Sequence, residues 1–251
     1  MLVAYQSGVG GLAAVMLKPS MELKCTRYIK GLVWSPSGPI LAAASADGTV
    51  MVLKVFNLQD SGTVEVEIVQ RLHLSGTPES ICFSADGSKL MCYIRDTPYL
   101  ARFDLENDFE MTKVNLNRGS GAAVGGFEDH VSFAVMDMAV SPNGKYIAMA
   151  TDTSRNIVID AITGKQIRNL YGHANDGFSN PKIAWSRSGQ YIFGNTQEDG
   201  SCCVWDVASA SIVKRLGGHA SPIRGIFSSH LSDTLITTSF DKQTKIWLVP
   251  M

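Results

Sequence analysis

The chain has 251 residues, of which 45% are hydrophobic and 18% are charged, and this composition excludes an intrinsically disordered protein. Its 22 basic and 23 acidic residues nearly cancel, so it carries no general positive field that would attract nucleic acid or an anionic membrane. Its five cysteines match no zinc-site or redox spacing, which predicts buried thiols in a reducing intracellular compartment, the cytoplasm or the nucleus.

The N-terminal residues predict short strands at 2–6, 12–18 and 22–27. Residues 1–17 are apolar enough to suggest a secretion signal, but they lack a basic start and glycines interrupt them. Strands around a glycine turn explain this segment better. No run in the sequence reaches the roughly 18 apolar residues of a membrane helix, so we expect no membrane association.

From residue 29 onward, one sequence unit recurs five times. A β-rich run ends in a bulky residue and a serine, and a turn rich in Pro, Asp, Asn, Ser and Gly follows. The spacing of the units centres near the roughly 40–45 residues that one four-stranded unit of a repeat protein needs. The serines that mark the units are Ser35, Ser84, Ser141, Ser186 and Ser228.

After each turn come a short apolar strand, a tight polar corner and a third strand rich in β-branched and aromatic residues. Turn signals at intervals of about ten residues predict an all-β fold, and no stretch has a sustained helical period. In the last two units a tryptophan follows the corner aspartate at the same distance, Trp205 after Asp199 and Trp247 after Asp241.

Short motifs within these units carry a family resemblance. Gly-His pairs occur at Gly172-His173 and Gly218-His219, and a Trp-Asp pair occurs at Trp205-Asp206. With five units in register over nearly all of the chain, the sequence resembles the WD-repeat family. Only two units carry the Gly-His pair, so the first three units diverge from the family pattern.

The resemblance implies an all-β propeller of about six four-stranded blades in a single domain, residues 1–251. The first blade lacks its inner strand and the last lacks its outer strand. This is consistent with a fragment of a six- or seven-bladed ring, or with a ring that a partner completes. The implied blades are residues 1–28, 29–77, 78–130, 131–172, 173–217 and 218–251.

In this family the histidine, the corner aspartate, a hydroxyl and the tryptophan form a structural hydrogen-bond network. The resemblance places His173 with Asp199 and Trp205. It places His219 in a second set, with Ser239, Asp241 and Trp247. A His-Asp-Ser group also suggests a hydrolase, but the chain has no Gly-x-Ser-x-Gly motif.

Other patterns offer little support for metal or phosphate binding. The five histidines are scattered without metal-site spacing, so the sequence predicts no metal, no cofactor and no catalytic residue. The glycine-rich stretch at 119–126 lacks the Lys-Ser/Thr ending of a phosphate-binding loop and predicts a surface loop. It joins two units, and a partner could bind there.

These observations predict a non-catalytic scaffold or adaptor, a subunit of a larger complex that binds other proteins or peptides on a face formed by loops. Tyr171, Phe178 and Arg224 are the candidate partner-binding residues, because aromatic and arginine side chains are common interface anchors. One alternative is a subunit that recognises chromatin or nucleic acid. Another is a propeller enzyme with a site in its channel. The sequence leaves the partner's identity and the oligomeric state open.

Overall fold

The computed structural model describes residues 25–58, 63–116, 133–178, 180–229 and 231–249. Within these ranges the chain forms 19 strands in five antiparallel sheets and no helix, so the predicted all-β class is confirmed. Each sheet is one blade of a propeller, and we number the blades 1 to 5 in chain order.

The strands of blade 1 are β1 (Ile29–Trp34), β2 (Ile40–Ser45), β3 (Thr49–Leu58) and β4 (Thr63–His73). Those of blade 2 are β5 (Pro78–Phe83), β6 (Lys89–Ile94), β7 (Tyr99–Asp104) and β8 (Glu110–Asn115). Those of blade 3 are β9 (Val135–Val140), β10 (Tyr146–Thr151), β11 (Asn156–Asp160) and β12 (Gln166–Leu170). Those of blade 4 are β13 (Ile183–Trp185), β14 (Tyr191–Asn195), β15 (Cys202–Asp206) and β16 (Ser211–Leu216). Those of blade 5 are β17 (Ile223–Ser228), β18 (Thr234–Ser239) and β19 (Thr244–Leu248).

Within each blade the strands are hydrogen-bonded in chain order, so every blade is an antiparallel meander. Neighbouring blades contact one another through their first strands, which therefore line the inner side of the propeller. Among the described residues, blade 5 has three strands, as predicted for a last blade without its outer strand. The incomplete blade predicted at 1–28 lies almost entirely outside the described residues, which form the other five of the about six predicted blades.

The core lies between the blades, because each sheet buries apolar side chains on both of its faces. Between blades 1 and 2, Val52 belongs to one apolar cluster with Phe83 and Leu90. Between blades 3 and 4, Trp185 and Trp205 belong to another. Burial on both faces explains why the second and third strands read as nearly continuous apolar runs in the sequence.

Two buried polar side chains also link neighbouring blades. The indole N–H of Trp185 in blade 4 donates to the carbonyl of Ala139 in blade 3 at 2.9 Å. Asn195 accepts a hydrogen bond from the Lys182 N–H at 2.7 Å and donates one to the carbonyl of Ile223 in blade 5 at 3.0 Å. Both side chains thereby satisfy polar groups that would otherwise be buried without partners.

In every blade, a backbone N–H at the start of the turn between the first and second strands donates to a carbonyl at the start of the second strand. In blade 3 the Ser141 N–H donates to a carbonyl at the start of β10 at 2.9 Å, and the Gly144 N–H donates to the Ser141 carbonyl at 2.8 Å. Gly144 has a φ of +71°, which glycine adopts without strain. In blade 5 the matching bond comes from Ser229 and not from Ser228, so the predicted unit is displaced there by one residue.

The first strand of four blades carries a β-bulge near its start. The register skips Lys30 in β1, Glu79 in β5, Met136 in β9 and Arg224 in β17. A bulged residue is left out of the ladder and its side chain is re-aimed. These four residues therefore hold equivalent positions in their blades.

Candidate functional site

Two kinds of loop meet at one end of the blades. Joins lead from the last strand of one blade to the first strand of the next, and corners connect the second and third strands of one blade. Because all strands are antiparallel, joins and corners lie at the same end, which we call the loop face. The described joins include residues 25–28, 74–77, 171–178 and 217–222, and the corners are residues 46–48, 95–98, 152–155, 196–201 and 240–243.

His219 connects the join before blade 5 to the second strand and the corner of that blade. Its Nδ1 lies 2.8 Å from Asp241 Oδ2, and its Nε2 lies 2.8 Å from Thr237 Oγ1. The indole N–H of Trp247 donates to the same Thr237 hydroxyl at 2.9 Å. Because the Asp241 carboxylate can only accept, Nδ1 of His219 carries the proton and donates to it, and Nε2 of the neutral imidazole then accepts the proton of the Thr237 hydroxyl.

The carboxylate of Asp241 is saturated by donors from the join and the corner. It accepts the Ala220 N–H at 3.0 Å and the Gln243 N–H at 2.9 Å in addition to His219. Burial acts to raise the pKa of Asp241, but the hydrogen bonds from Gln243, His219 and Ala220 outweigh it and lower the pKa to about 2. The carboxylate is therefore ionised at neutral pH and fixes the join against the corner.

This arrangement suits a structural link better than a nucleophile. The Thr237 hydroxyl is buried between the His219 and Trp247 rings and uses its proton toward the histidine. A hydrolytic nucleophile must instead reach a substrate carbonyl. Thr237 is fully buried, so no such approach is open to it.

Ser239, which the sequence placed with His219, has other partners. Its hydroxyl donates to the Ser221 carbonyl at 2.8 Å and accepts the Asp241 N–H at 3.1 Å. Thr237, which lies earlier in β18 on the same face, supplies the hydroxyl that reaches the histidine. The sequence did not single out Thr237, because alternation along the strand places Thr237 and Ser239 on the same face. The alternation does not show which of the two lies beside Trp247.

In blade 4 the corresponding residues are not joined in the same way. His173 is buried against the edge of Trp205, with ring centroids 5.2 Å apart. Neither of its ring nitrogens bonds to a described residue. The Trp205 N–H donates instead to the Tyr171 carbonyl at 2.8 Å, and Asp199 accepts the Ser201 N–H at 3.0 Å. The structure therefore brings His173 to Trp205 but not into a hydrogen bond with Asp199.

The environment of His173 disfavours its charged form. Burial, followed by the positive charge of Arg215, lowers the pKa of His173 to about 4. The side chain is 5% exposed, so the imidazole is held neutral at physiological pH.

A corner in blade 1 makes the same link between join and corner without a histidine. Asp47 Oδ2 accepts the Thr26 N–H at 3.0 Å and the Thr26 hydroxyl at 2.9 Å, while its Oδ1 accepts the Thr49 N–H at 3.0 Å. The sequence contained a signal for this link, because Asp47 holds the corner position that Asp199 and Asp241 hold in later blades.

The candidate partner-binding residues all lie at or beside the loop face. Phe178 is 97% exposed in the join before blade 4, and Tyr171 is more than half exposed at the start of that join. Arg224 is exposed at the bulge of β17, and its guanidinium carbon lies 4.6 Å from the ring centroid of Phe240. Phe240 is itself exposed in the corner of blade 5, and sequence reasoning missed it.

In the part of the chain that the structure describes, no group of three or more His, Cys, Asp or Glu side chains is placed to hold a metal ion. The same residues include no helix long and apolar enough to cross a membrane. The glycine-rich stretch at 119–126 lies outside the described residues.

Comparison with known proteins gives a consistent set of matches. The family model described as "WD domain, G-beta repeat" matches residues 17–53, 121–159, 164–206 and 210–247, which is more than half of the chain. A guanine nucleotide-binding protein subunit beta from Zea mays is 31% identical over 131 residues, covering 49% of this chain and 33% of that protein. Human DDB1- and CUL4-associated factor 10 is 26% identical over 115 residues, covering 45% of this chain and 20% of that protein.

Protein hir1 from Schizosaccharomyces pombe is 28% identical over 134 residues, covering 46% of this chain and 14% of that protein. The chain thus spans a third or less of the length of these relatives. Among solved structures, a chain of Kuenenia stuttgartiensis hydrazine synthase superposes with a TM-score of 0.63 at 17% identity, covering 88% of this chain and 58% of that chain. At this identity the likeness shows the fold alone.

Proposed function

Because this chain belongs to the WD-repeat family, we propose that it is a non-catalytic adaptor that binds other proteins or peptides through its loop face as a subunit of a larger complex. One observation carries the proposal: the loop face presents the nearly fully exposed Phe178 on a join anchored to rigid blades. Tyr171 and Arg224 are the further anchors. Exposed aromatic and arginine side chains on a rigid scaffold are the usual centres of protein interfaces.

The relatives support this proposal through their names. One is the beta subunit of a guanine nucleotide-binding protein, and another is a factor associated with DDB1 and CUL4, so both are components of assemblies. The five cysteines of this chain are free thiols, four of them buried, which supports an intracellular location in the cytoplasm or the nucleus.

The non-catalytic part of the proposal rests on how the polar groups are used. His219 and Asp241 are the pair nearest to a catalytic arrangement. They bond to each other, to the Thr237 hydroxyl and to backbone N–H groups of the join and the corner. A general base must instead lie within reach of a substrate proton. The two residues hold the loop face in shape and leave recognition to the exposed side chains around them.

Affinity purification with quantitative mass spectrometry tests the proposal. The full chain is compared with the loop-face variant Phe178→Ala/Arg224→Ala and with the control variant Ile162→Ala/Arg187→Ala. The control removes an exposed apolar side chain and an exposed arginine from turns at the opposite end of the blades.

We expect the loop-face variant to lose a defined set of partners that the control retains, with both variants melting as the wild type does. Equal recovery of all partners by the two variants would contradict the proposed face.

A further inference from the structure

Arg224 is held in place by an aromatic ring and not by an ion pair. It occupies the bulge of β17, and its guanidinium stacks on Phe240 with 4.6 Å between the guanidinium carbon and the ring centroid. The Phe240 N–H donates to the Pro222 carbonyl at 3.3 Å, so the ring and the arginine sit on backbone that is tied together. Among the described residues, Arg224 has no carboxylate partner.

At the equivalent position in blade 1, an ion pair neutralises the cation. Lys30 sits at the bulge of β1 and forms an ion pair with the buried Glu79 of blade 2. Arg95 lies 3.4 Å from the same carboxylate. Lys30 and Arg95 are thus both paired with Glu79, whereas Arg224 is exposed and has no such partner among the described residues.

The corner beside Phe240 carries a second cation in an unfavourable backbone conformation. Lys242 has a φ of +65° and an exposed side chain. Glycine occupies the matching left-handed position in two other corners, with φ of +90° at Gly48 and +65° at Gly200. A side chain in this conformation is strained, and such strain is found most often at functional positions.

Asp241, the one acidic side chain of this corner, bonds to His219, Ala220 and Gln243 and forms no ion pair with Arg224 or Lys242. Its single negative charge is outnumbered by the positive charges beside it. Lys245, on the adjacent strand, donates to the Gly218 carbonyl and leaves the local charge positive. A chain that is close to neutral as a whole therefore presents a local positive patch on its loop face.

We propose that Arg224, Phe240 and Lys242, which we call the arginine patch, bind an Asp- and Glu-rich peptide segment of a partner protein. The inference deepens the proposed adaptor function and rests on it. A guanidinium with free forked donors matches a carboxylate in two parallel hydrogen bonds, and stacking on Phe240 lowers the entropy lost on binding. Lys242 adds a second charge for a neighbouring carboxylate.

Fluorescence anisotropy on the full chain tests the proposal with two labelled probes, a peptide of alternating Glu and Gly and its Gln-Gly counterpart. We expect the acidic probe to bind wild type, to weaken about tenfold in Arg224→Gln, and to weaken as salt rises. Arg187→Gln, the same change of charge at the opposite end of the blades, is expected to leave its affinity unchanged. The Gln-Gly probe is expected not to bind.

Lys242→Gly separates binding from folding. Because glycine adopts the positive φ without strain, we expect the melting temperature of the Lys242→Gly variant to equal or exceed that of wild type. Its affinity for the acidic probe should fall. Arg224→Gln is expected to melt as wild type does, and a clear loss of stability would instead assign this arginine to an internal contact.

Three other outcomes overturn the acidic-peptide inference: equal binding of both probes, equal weakening by Arg187→Gln, or tighter binding of a single-stranded DNA oligonucleotide than of the acidic peptide. If the acidic probe fails but Phe178→Ala alone still loses cellular partners, the inference fails and the adaptor function stands. If the acidic probe does not bind and neither Phe178→Ala nor Arg224→Ala loses a cellular partner, both the acidic-peptide inference and the adaptor function fail.

Discussion

Thr237 in blade 5 and Gly194 in blade 4 occupy the same position relative to the tryptophan of the third strand. Trp247 pairs with Leu235, and Trp205 pairs with Ile192, so each of the two residues lies two positions along from the partner of its tryptophan. The hydroxyl of Thr237 joins a histidine to an indole, and Gly194 has no side chain to do so. This difference explains why a hydroxyl bridges the histidine and the indole in blade 5 and not in blade 4.

Replacing Thr237 by valine should destabilise the protein by at least about 2 kcal/mol. The change keeps the shape of the side chain but leaves the Trp247 N–H and a ring nitrogen of His219 buried without their shared partner, and each such loss costs about 1–3 kcal/mol. Urea denaturation followed by tryptophan fluorescence measures the effect. Thr238→Val, on an exposed neighbour, is the control. Equal stability of the two variants would show that the bridging hydroxyl contributes nothing.

Gly194→Ala should also destabilise the protein, although alanine is the better strand residue. An added Cβ would lie 3.0 Å from Trp205 Cζ3 and 3.3 Å from the Lys182 carbonyl, so the indole or the backbone must move. Overpacking of this kind costs about 1–3 kcal/mol. Gly38→Ala is a suitable control, since no atom lies within 4 Å of its added Cβ. Thermal unfolding of both variants checks the prediction, and a Gly194→Ala protein as stable as wild type would mean that Trp205 has room to shift.

Much of the fold was readable from the sequence because its signals are local. The turns after the unit serines, the polar corners and the third strands that follow them each depend on a few adjacent residues, and each was predicted. The serine of the last unit was misplaced by one residue, because its turn lacks the glycine that marks the others. Turn-forming residues reveal where a strand ends only in the units whose sequence contains them.

The site was less predictable because it depends on contacts between strands and loops. The preference for Thr237 over Ser239 follows from the pairing of Leu235 with Trp247, which no single strand reveals. The stacking of Arg224 on Phe240 joins a bulge to a corner that is remote along the chain. Such contacts are set by the register between strands and not by residue type.

Trp185 and Trp34 hold the same position before the serine of their turns but should respond differently to replacement by phenylalanine. Trp185 is 3% exposed and donates to the Ala139 carbonyl of the preceding blade, whereas Trp34 is 55% exposed. Trp185→Phe should lose about 1–2 kcal/mol, from the hydrogen bond and from the smaller ring. Trp34→Phe should lose less than about 0.5 kcal/mol, as surface substitutions usually do. Chemical denaturation of both variants compares them directly, and equal losses would contradict the inter-blade role of Trp185.

Stability should fall as the pH is lowered from about 6.5 to about 4, in part because of His173. The pKa of this histidine drops from its ordinary 6.5 to about 4 in the folded protein, because of burial and then of Arg215. Between these values the unfolded chain binds the proton and the folded chain does not, so acid favours unfolding. The full contribution is present above pH 6.5 and is lost by pH 4, and it amounts to about 3 kcal/mol at most.

His173→Phe isolates this contribution, because the variant keeps a ring against Trp205 and cannot be protonated. All other groups titrate alike in the two proteins, so the difference between their unfolding free energies reports His173 alone. Removing two buried nitrogens that lack described partners should leave the variant at least as stable as wild type at pH 7. Its advantage should then grow by about 3 kcal/mol as the pH approaches 4. Urea denaturation at a series of pH values measures the difference, and parallel curves would mean that His173 titrates normally in the folded state.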